Sequence, residues 1–152
     1  MRKIVSRRSG NKKRTFVLVI LGLIAVITLT GMLYDAAGRR EIRQLSIGAI
    51  DFSKLQDGSY TGEYSGTLNH LRDAEVQVTV SAGRVSEIRI LKGAVDKTGK
   101  PLELKEGLSI VDLFGTVLQR QSLLVDAISG ATLTSKTHLK ALEHALEQAR
   151  IK

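Results

Sequence analysis

Ala74-Glu75-Val76-Gln77-Val78-Thr79-Val80-Ser81-Ala82-Gly83-Arg84-Val85-Ser86-Glu87-Ile88-Arg89-Ile90-Leu91 is the stretch on which the fold turns. Its first half alternates strictly, with Val76, Val78 and Val80 on one face of a strand and Glu75, Gln77 and Thr79 on the other. Ala82-Gly83 is a turn signal, and Ile88 and Ile90 resume the alternation, so the stretch reads as a β-hairpin. Its register follows from burial. A two-residue loop over Ala82-Gly83 would set Val76 and Val78 opposite Arg89 and Glu87, and a slip of one residue sends every apolar side chain to the wrong face. A three-residue connection over 82–84 pairs Val78 with Ile88 and Val76 with Ile90, and that is the register expected.

Upstream, Asp57-Gly58 signals a turn, and Ser59-Tyr60-Thr61-Gly62-Glu63-Tyr64 is a β-prone run that reads as a first strand. Gly62 weakens strand propensity there, marking either a bulge or a close approach to the backbone. Downstream, residues 92–107 hold the sole proline, Pro101, with Gly93, Gly99 and Gly107, and read as loop. Ser109 then caps a helix with Asp112 three positions on, and Ile110, Leu113, Phe114, Val117 and Leu118 form its apolar stripe. A closing helix runs from about 135 to 150, with Leu139, Leu142, Leu146 and Ala149 on one face and Lys140, Glu143, Glu147 and Arg150 elsewhere. A small antiparallel sheet with helices packed on it is an α+β arrangement.

The outermost feature is residues 16–33, FVLVILGLIAVITLTGML, 18 residues without a charge and with Thr28 and Thr30 as the polar side chains. At 1.5 Å per residue they give about 27 Å, enough to cross a hydrocarbon core of about 30 Å with Thr15 and Tyr34 at its edges. Arg2, Lys3, Arg7, Arg8, Lys12, Lys13 and Arg14 precede the run, and the first charge after it is Asp35. The positive-inside rule therefore puts the N-terminus in the cytoplasm and the rest outside, at the cell membrane. A cleaved secretory signal shares this pattern, but the run is longer than an ordinary signal's apolar region and no clean A-x-A site closes it. The organisation expected is a basic cytoplasmic tail over 1–15, a single-pass transmembrane anchor over 16–34, a linker over 35–54 and one folded domain over 55–152.

Composition narrows the chemistry. With 152 residues, of which 43% are hydrophobic and 4% aromatic with no Trp, the chain builds one core from Val, Ile, Leu and Ala. The absence of cysteine excludes disulfides, thiolate zinc sites, iron–sulfur clusters and attached c-type haem, so redox chemistry requires an organic cofactor. The net charge of +8 sits mostly in the N-terminal tail. It reads as a membrane-orienting flank, with binding to acidic lipid or rRNA as the alternative, and no nucleic-acid partner is expected of the domain. No metal-ligand constellation and no nucleophile–base pair appears, which argues against independent catalysis. His70, His138 and His144 are scattered, and His138, nearest the segment described next, reads as a solvated helix position.

That segment is Val125-Asp126-Ala127-Ile128-Ser129-Gly130-Ala131-Thr132-Leu133-Thr134-Ser135, small and hydroxyl residues ahead of a helix start. Unpaired helix N–H groups, close backbone approach at Gly130 and hydroxyls on Ser129, Thr132, Thr134 and Ser135 suit an anion. Ser and Thr ahead of a helix are also ordinary N-caps.

Asp126-x-x-Ser129-Gly130-Ala131-Thr132 resembles the flavinylation motif of the FMN-binding domain family, found in flavin-carrying subunits of sodium-pumping NADH:quinone oxidoreductase and of Rnf complexes. The opening 57–64, the hairpin and the closing helix also look like the small stand-alone members, so the likeness spans roughly 55–149. The resemblance implies FMN joined covalently, by a phosphoester, to Thr132, and installed by a separate flavin transferase that uses FAD and magnesium. Asp126, Ser129, Gly130 and Ala131 would supply recognition and geometry, with Asp126 alternatively capping a turn. Thr134 would be the helix cap or a phosphate contact, and Tyr60 and Tyr64 would either flank the isoalloxazine ring or, as strand tyrosines more often do, serve packing. The pump subunits' larger domains carry a Glu-Thr-Pro-Gly segment near the flavin, where this chain has Asp96-Lys97-Thr98-Gly99-Lys100-Pro101. The function implied is that of a stand-alone electron carrier outside the cytoplasm, taking electrons from a membrane quinol or dehydrogenase and passing them to an outer acceptor. The alternatives are a cell-surface binding or structural module without cofactor and a flavin-dependent reductase subunit.

Overall fold

The computed structural model describes residues 9–151, so Arg2, Lys3, Arg7 and Arg8 of the basic tail lie outside the described residues. The chain divides into two compact units, with the boundary after Ala36. The first is the greater part of helix α1, Ser9–Gln44. Residues 13–44 form a helix long and apolar enough to cross a membrane, and none of its apolar window is buried. Leu18 and Met32 are 67% and 70% exposed, as side chains facing lipid would be. The two threonines in the run are satisfied internally: Thr28 donates to the Ala25 carbonyl at 3.0 Å and Thr30 to the Val26 carbonyl at 2.8 Å. The helix continues beyond the expected anchor to Gln44, because Ala, Arg and Glu favour helix and no proline intervenes. The linker expected over 35–54 is thus helical in its first half.

The second unit opens a three-stranded antiparallel sheet in the order β1 (Gly58–Tyr64), β2 (Ala74–Ser81), β3 (Arg84–Lys92). Helix α2 (Ile110–Arg120) packs on β3, and α3 (Thr132–Ala149) packs chiefly on β1 and β2. The α+β reading holds. The core is Val76, Val78 and Val80 from β2, Ile110, Leu113, Phe114 and Val117 from α2, and Leu139, Leu142, Leu146 and Ala149 from α3, all buried.

Val76 pairs with Ile90 and Val78 with Ile88, as burial required, but the connection differs from the one expected. The turn is the two-residue Ala82-Gly83, with φ of 53° and 71°, and Ser81 pairs with Arg84. A bulge at Ser86, between Val80↔Val85 and Thr79↔Glu87, restores the apolar register. Ser86 Oγ donates to the Thr79 carbonyl at 3.1 Å across it. The turn is held from outside, since the Asp57 carboxylate accepts the Ala82 and Gly83 amides at 2.9 and 2.8 Å.

Gly62 is a site of close approach, not a bulge: β1 pairs with β2 without a register break. A Cβ at Gly62 would run into the Ala141 carbonyl and the Ala145 amide of α3. Glu143, expected away from the apolar face, is buried, and its carboxylate accepts Lys140 Nζ at 2.9 Å.

Candidate functional site

The expected motif folds as a turn leading directly into α3. Ala131 N–H donates to the Ile128 carbonyl at 2.9 Å, and Gly130, third in the turn, has φ of 76°. A type II turn requires that sign of φ, which is why glycine stands there. The buried Ser135 locks the turn from beneath. Its Oγ accepts the Ile128 amide at 3.1 Å and donates to the Ala131 carbonyl at 3.1 Å. Ser135 is therefore a structural hydroxyl, and not the outward donor expected.

Thr132 is the first residue of α3, so the helix starts three residues earlier than the sequence pattern placed it. Ala131 is the N-cap and no side chain caps the helix, so Thr134 is not the cap. The first intrahelical bond is from the Ser135 amide to the Ala131 carbonyl, which leaves the Thr132, Leu133 and Thr134 amides as the open first turn. Thr132, Ser129 and Asp126 are exposed. The Asp126 carboxylate accepts no hydrogen bond from the described residues and so does not cap the turn.

A surface cavity at this helix start is lined by Arg43, Arg72, Gly130, Ala131, Thr132, Leu133 and Thr134. Arg43 arrives from far upstream. Lys136, one turn into α3, donates from Nζ to the Arg43 and Leu45 carbonyls at 2.8 and 3.1 Å, fixing the end of α1 beside Thr132. A third cation lies over the turn: a Cβ on Gly130 would meet Lys105 Cδ at 2.5 Å and Nζ at 3.0 Å. The partial positive charge of the helix start is thus reinforced by three side chains.

Arg72 and Thr134 also line a second, mainly apolar cleft formed by Leu71, Asp73, Gly93, Ala94, Leu102, Leu104, Thr137 and His138. His138 is not the solvated position expected. It is 1% exposed, its Nε2 accepts the Ala94 amide at 3.2 Å, and Nδ1 lies 2.8 Å from the Thr134 carbonyl. Those partners fix a neutral imidazole with its proton on Nδ1. Burial pushes its pKa down from the ordinary value of 6.5, outweighing the Thr134 carbonyl. Its ring tilts against Phe114 of the core, with centroids 6.4 Å apart.

Tyr60 and Tyr64 line neither cavity. Tyr60 donates to the Gln56 and Asp57 carbonyls at 3.1 and 3.4 Å, back along its own strand. Tyr64 is buried and donates to Glu41 Oε1 at 3.3 Å, and burial followed by the Glu41 charge pushes its phenol up to about 12. Both tyrosines face the same side of β1 as Gly62, toward α3, so packing explains them. Of the residues expected at the site, Gly130, Ala131, Thr132 and Thr134 line the cavity at the helix start, whereas Asp126 and Ser129 precede it in the chain and do not line it. The sequence reading missed Arg43, Arg72, Lys105 and the apolar cleft, which come from loops and a helix end without local pattern, and it put in solvent the His138 that α3 buries.

The arrangement offers a solvent-facing hydroxyl, a cationic surround suited to an anion and an adjoining apolar cleft. Residues 71–147, about half the chain, match the model of the FMN-binding domain. No curated protein sequence matches. Of solved structures, the chain is similar to the CPE2226 protein from Clostridium perfringens, at 24% identity over 62% of this chain and 88% of that one, with a TM-score of 0.46. The chain belongs to the FMN-binding domain family, and its role is flavin binding.

Proposed function

We propose that the protein is a membrane-anchored electron carrier whose domain stands outside the cytoplasm and holds FMN covalently on Thr132 Oγ1. The observation that carries the reading is the exposed threonine at the first position of α3, behind the Ser129-Gly130-Ala131 turn and beside Arg43 and Arg72. A hydroxyl buried within the chain would be out of a modifying enzyme's reach.

Attachment balances as a phosphoryl transfer. Thr132 Oγ1 forms a bond to the flavin-side phosphorus of FAD, the pyrophosphate bond breaks, and AMP leaves with the electron pair. The threonine proton passes to a base of the transferase, which also supplies magnesium. The resulting phosphodiester keeps one negative charge, which the open first turn of α3 favours by about 0.3–1 kcal/mol. Arg43, Arg72 and Lys105 add to that. None of these holds a flavin against dilution on its own, and a covalent bond makes a large pocket unnecessary. Asp126, exposed and uncommitted, and Ser129 suit recognition by the transferase. Leu71, Ala94, Leu102 and Leu104 offer an apolar wall for the isoalloxazine, which supplies the one- and two-electron chemistry when bound. Residues 16–34 anchor the chain, and a membrane quinol or dehydrogenase on one side and an outer acceptor on the other complete the electron path.

Co-expression with a flavin transferase, followed by mass spectrometry of the peptide containing residue 132, tests the attachment. Added mass equal to FMN less water supports it, and an unmodified peptide supports a module without cofactor. Turnover of a soluble acceptor by the isolated protein would favour a reductase instead.

A further inference from the structure

We propose that the open edge of β3 is where a second copy of this chain joins, its β3 running antiparallel to this one with the two Ile88 residues face to face. The proposal goes beyond flavin binding and rests on the sheet alone.

Antiparallel pairing turns the amide and carbonyl of alternate residues toward the neighbouring strand and those of the residues between them away from it. Which residues of β3 face outward follows from Gln121, just past α2. Its Nε2 donates to the Val85 carbonyl at 2.9 Å and its Oε1 accepts the Val85 amide at 3.1 Å, so both groups of Val85 point away from β2. Val80, opposite Val85, therefore turns its own groups toward β1, and Val78 and Val76 do the same. Their partners on β3, Ile88 and Ile90, point outward. On β1 the same alternation turns Thr61 and Glu63 outward, and there α3 closes the edge. Gln148 Nε2 donates to the Thr61 carbonyl at 2.8 Å and His144 Nδ1 to the Glu63 carbonyl at 2.7 Å. Val85, Thr61 and Glu63 are thus covered by side chains. Ile88 and Ile90 are not: no strand pairs with β3 on that side, and among the described residues no other group bonds their amides or carbonyls.

An open edge is commonly guarded by charge. Here the charge selects the occupant. Outward residues pair only with outward residues, so the twofold registers open to β3 are Ile88 on Ile88, Ile88 on Ile90 and Ile90 on Ile90. The second sets Arg89 against Arg89 of the other copy, and the third sets Arg89 against Leu91. The first sets Glu87 against Arg89 on both sides of the axis, in non-hydrogen-bonded positions where Cα atoms come within about 4.5 Å and side chains lie closest. Glu87 and Arg89 are 50% and 66% exposed and already pair within the strand, Arg89 Nε donating to Glu87 Oε1 at 2.7 Å. The guanidinium has further N–H donors and the carboxylate a second oxygen, so the two copies close an alternating ring of opposite charges. Such self-complementarity is what a twofold contact between identical chains requires. The pairing is short, because Gln121 closes the edge at Val85.

The test is sedimentation of the full-length protein in detergent micelles at tens of micromolar, as wild type, Glu87→Arg, Arg89→Glu and the swap Glu87→Arg/Arg89→Glu. The wild type should be dimeric. Each single change sets like charges across the joint and should weaken the dimer about tenfold, and the swap should return it to within about threefold of wild type. The two single variants, mixed, present opposite charges to each other and should dimerise together at a concentration where each alone is monomeric. A monomeric wild type overturns the proposal. A dimer of equal strength in all four proteins places the contact elsewhere, the anchor included, and overturns it too. So does a loss in the single variants that neither the swap nor mixing restores, since the charges would then not act as a pair across the joint. No outcome depends on flavin, and attachment at Thr132 stands or falls separately.

Discussion

Ser135 Oγ accepts the Ile128 amide at 3.1 Å and so ties the start of α3 to the residue that opens the turn before Thr132. One buried hydroxyl therefore sets how Thr132 is presented. In Ser135→Ala the Ile128 amide loses its acceptor, a cost of about 1–3 kcal/mol for a buried donor. Thermal unfolding should move down accordingly, and flavin incorporation at fixed transferase should fall while Thr132 is unchanged. Undiminished incorporation together with an unchanged Tm would show that the turn does not depend on this bond.

His138 supplies a pH dependence whose sign is fixed by its surroundings. Burial favours the neutral ring and lowers its folded-state pKa below the ordinary 6.5. The unfolded chain then binds the extra proton first, so this contribution is complete above about pH 6.5 and is lost as pH falls below it, toward the lowered folded value. Tm measured from pH 8 to 5 should decline below about 6.5, and His138→Gln, whose amide oxygen can still accept the Ala94 amide, should lose that slope. A slope retained by the variant would assign it to another group.

Glu41 acts in a separate window. The Thr67 amide, first among its partners, holds its carboxyl below the ordinary 4.5, against burial. Its grip on the loop over 65–73, between β1 and β2, is therefore present above about pH 4.5 and lost as pH falls through the lowered value. In Glu41→Ala, amide hydrogen exchange at Thr67 and Leu68 should rise about tenfold at neutral pH, equivalent to about 1.4 kcal/mol for charge-assisted bonds in a partly exposed place. Exchange at Gly66, whose acceptor is Asp73, should change less.

Gly62 is where the α3 backbone meets the sheet. Gly62→Ala should lower stability by about 1–3 kcal/mol through overpacking, because backbone atoms, unlike a side-chain end, cannot swing aside. Denaturant titration measures it. A neutral outcome would mean that α3 rides higher over β1 than described.

The sheet, both helices of the domain and the long apolar helix were legible because each rests on local periodicity, which one strand or one helix imposes on its own residues. The hairpin shows the limit. Burial dictated Val78 opposite Ile88, but the sequence carries no mark that a bulge at Ser86, and not a longer loop, would achieve it. His138 and Glu143 were assigned outward by polarity, whereas both are buried: His138 meets the Ala94 amide, which only the tertiary fold brings, and Glu143 pairs with Lys140 one turn earlier on the same helix. The threonine motif was legible as a short run. Its surround was not, because Arg43 reaches it through the Lys136 contact with the end of α1, and Arg72 through a loop held by Glu41 and Asp73.

The most direct test of the whole account is in-gel flavin fluorescence of the protein made with an active transferase, compared across wild type, Thr132→Ala and Ser129→Ala. Thr132→Ala should be dark, the wild type bright, and Ser129→Ala, which keeps the accepting oxygen, intermediate. Fluorescence that survives in Thr132→Ala would contradict attachment at this residue, as would a dark wild type beside a labelled control substrate.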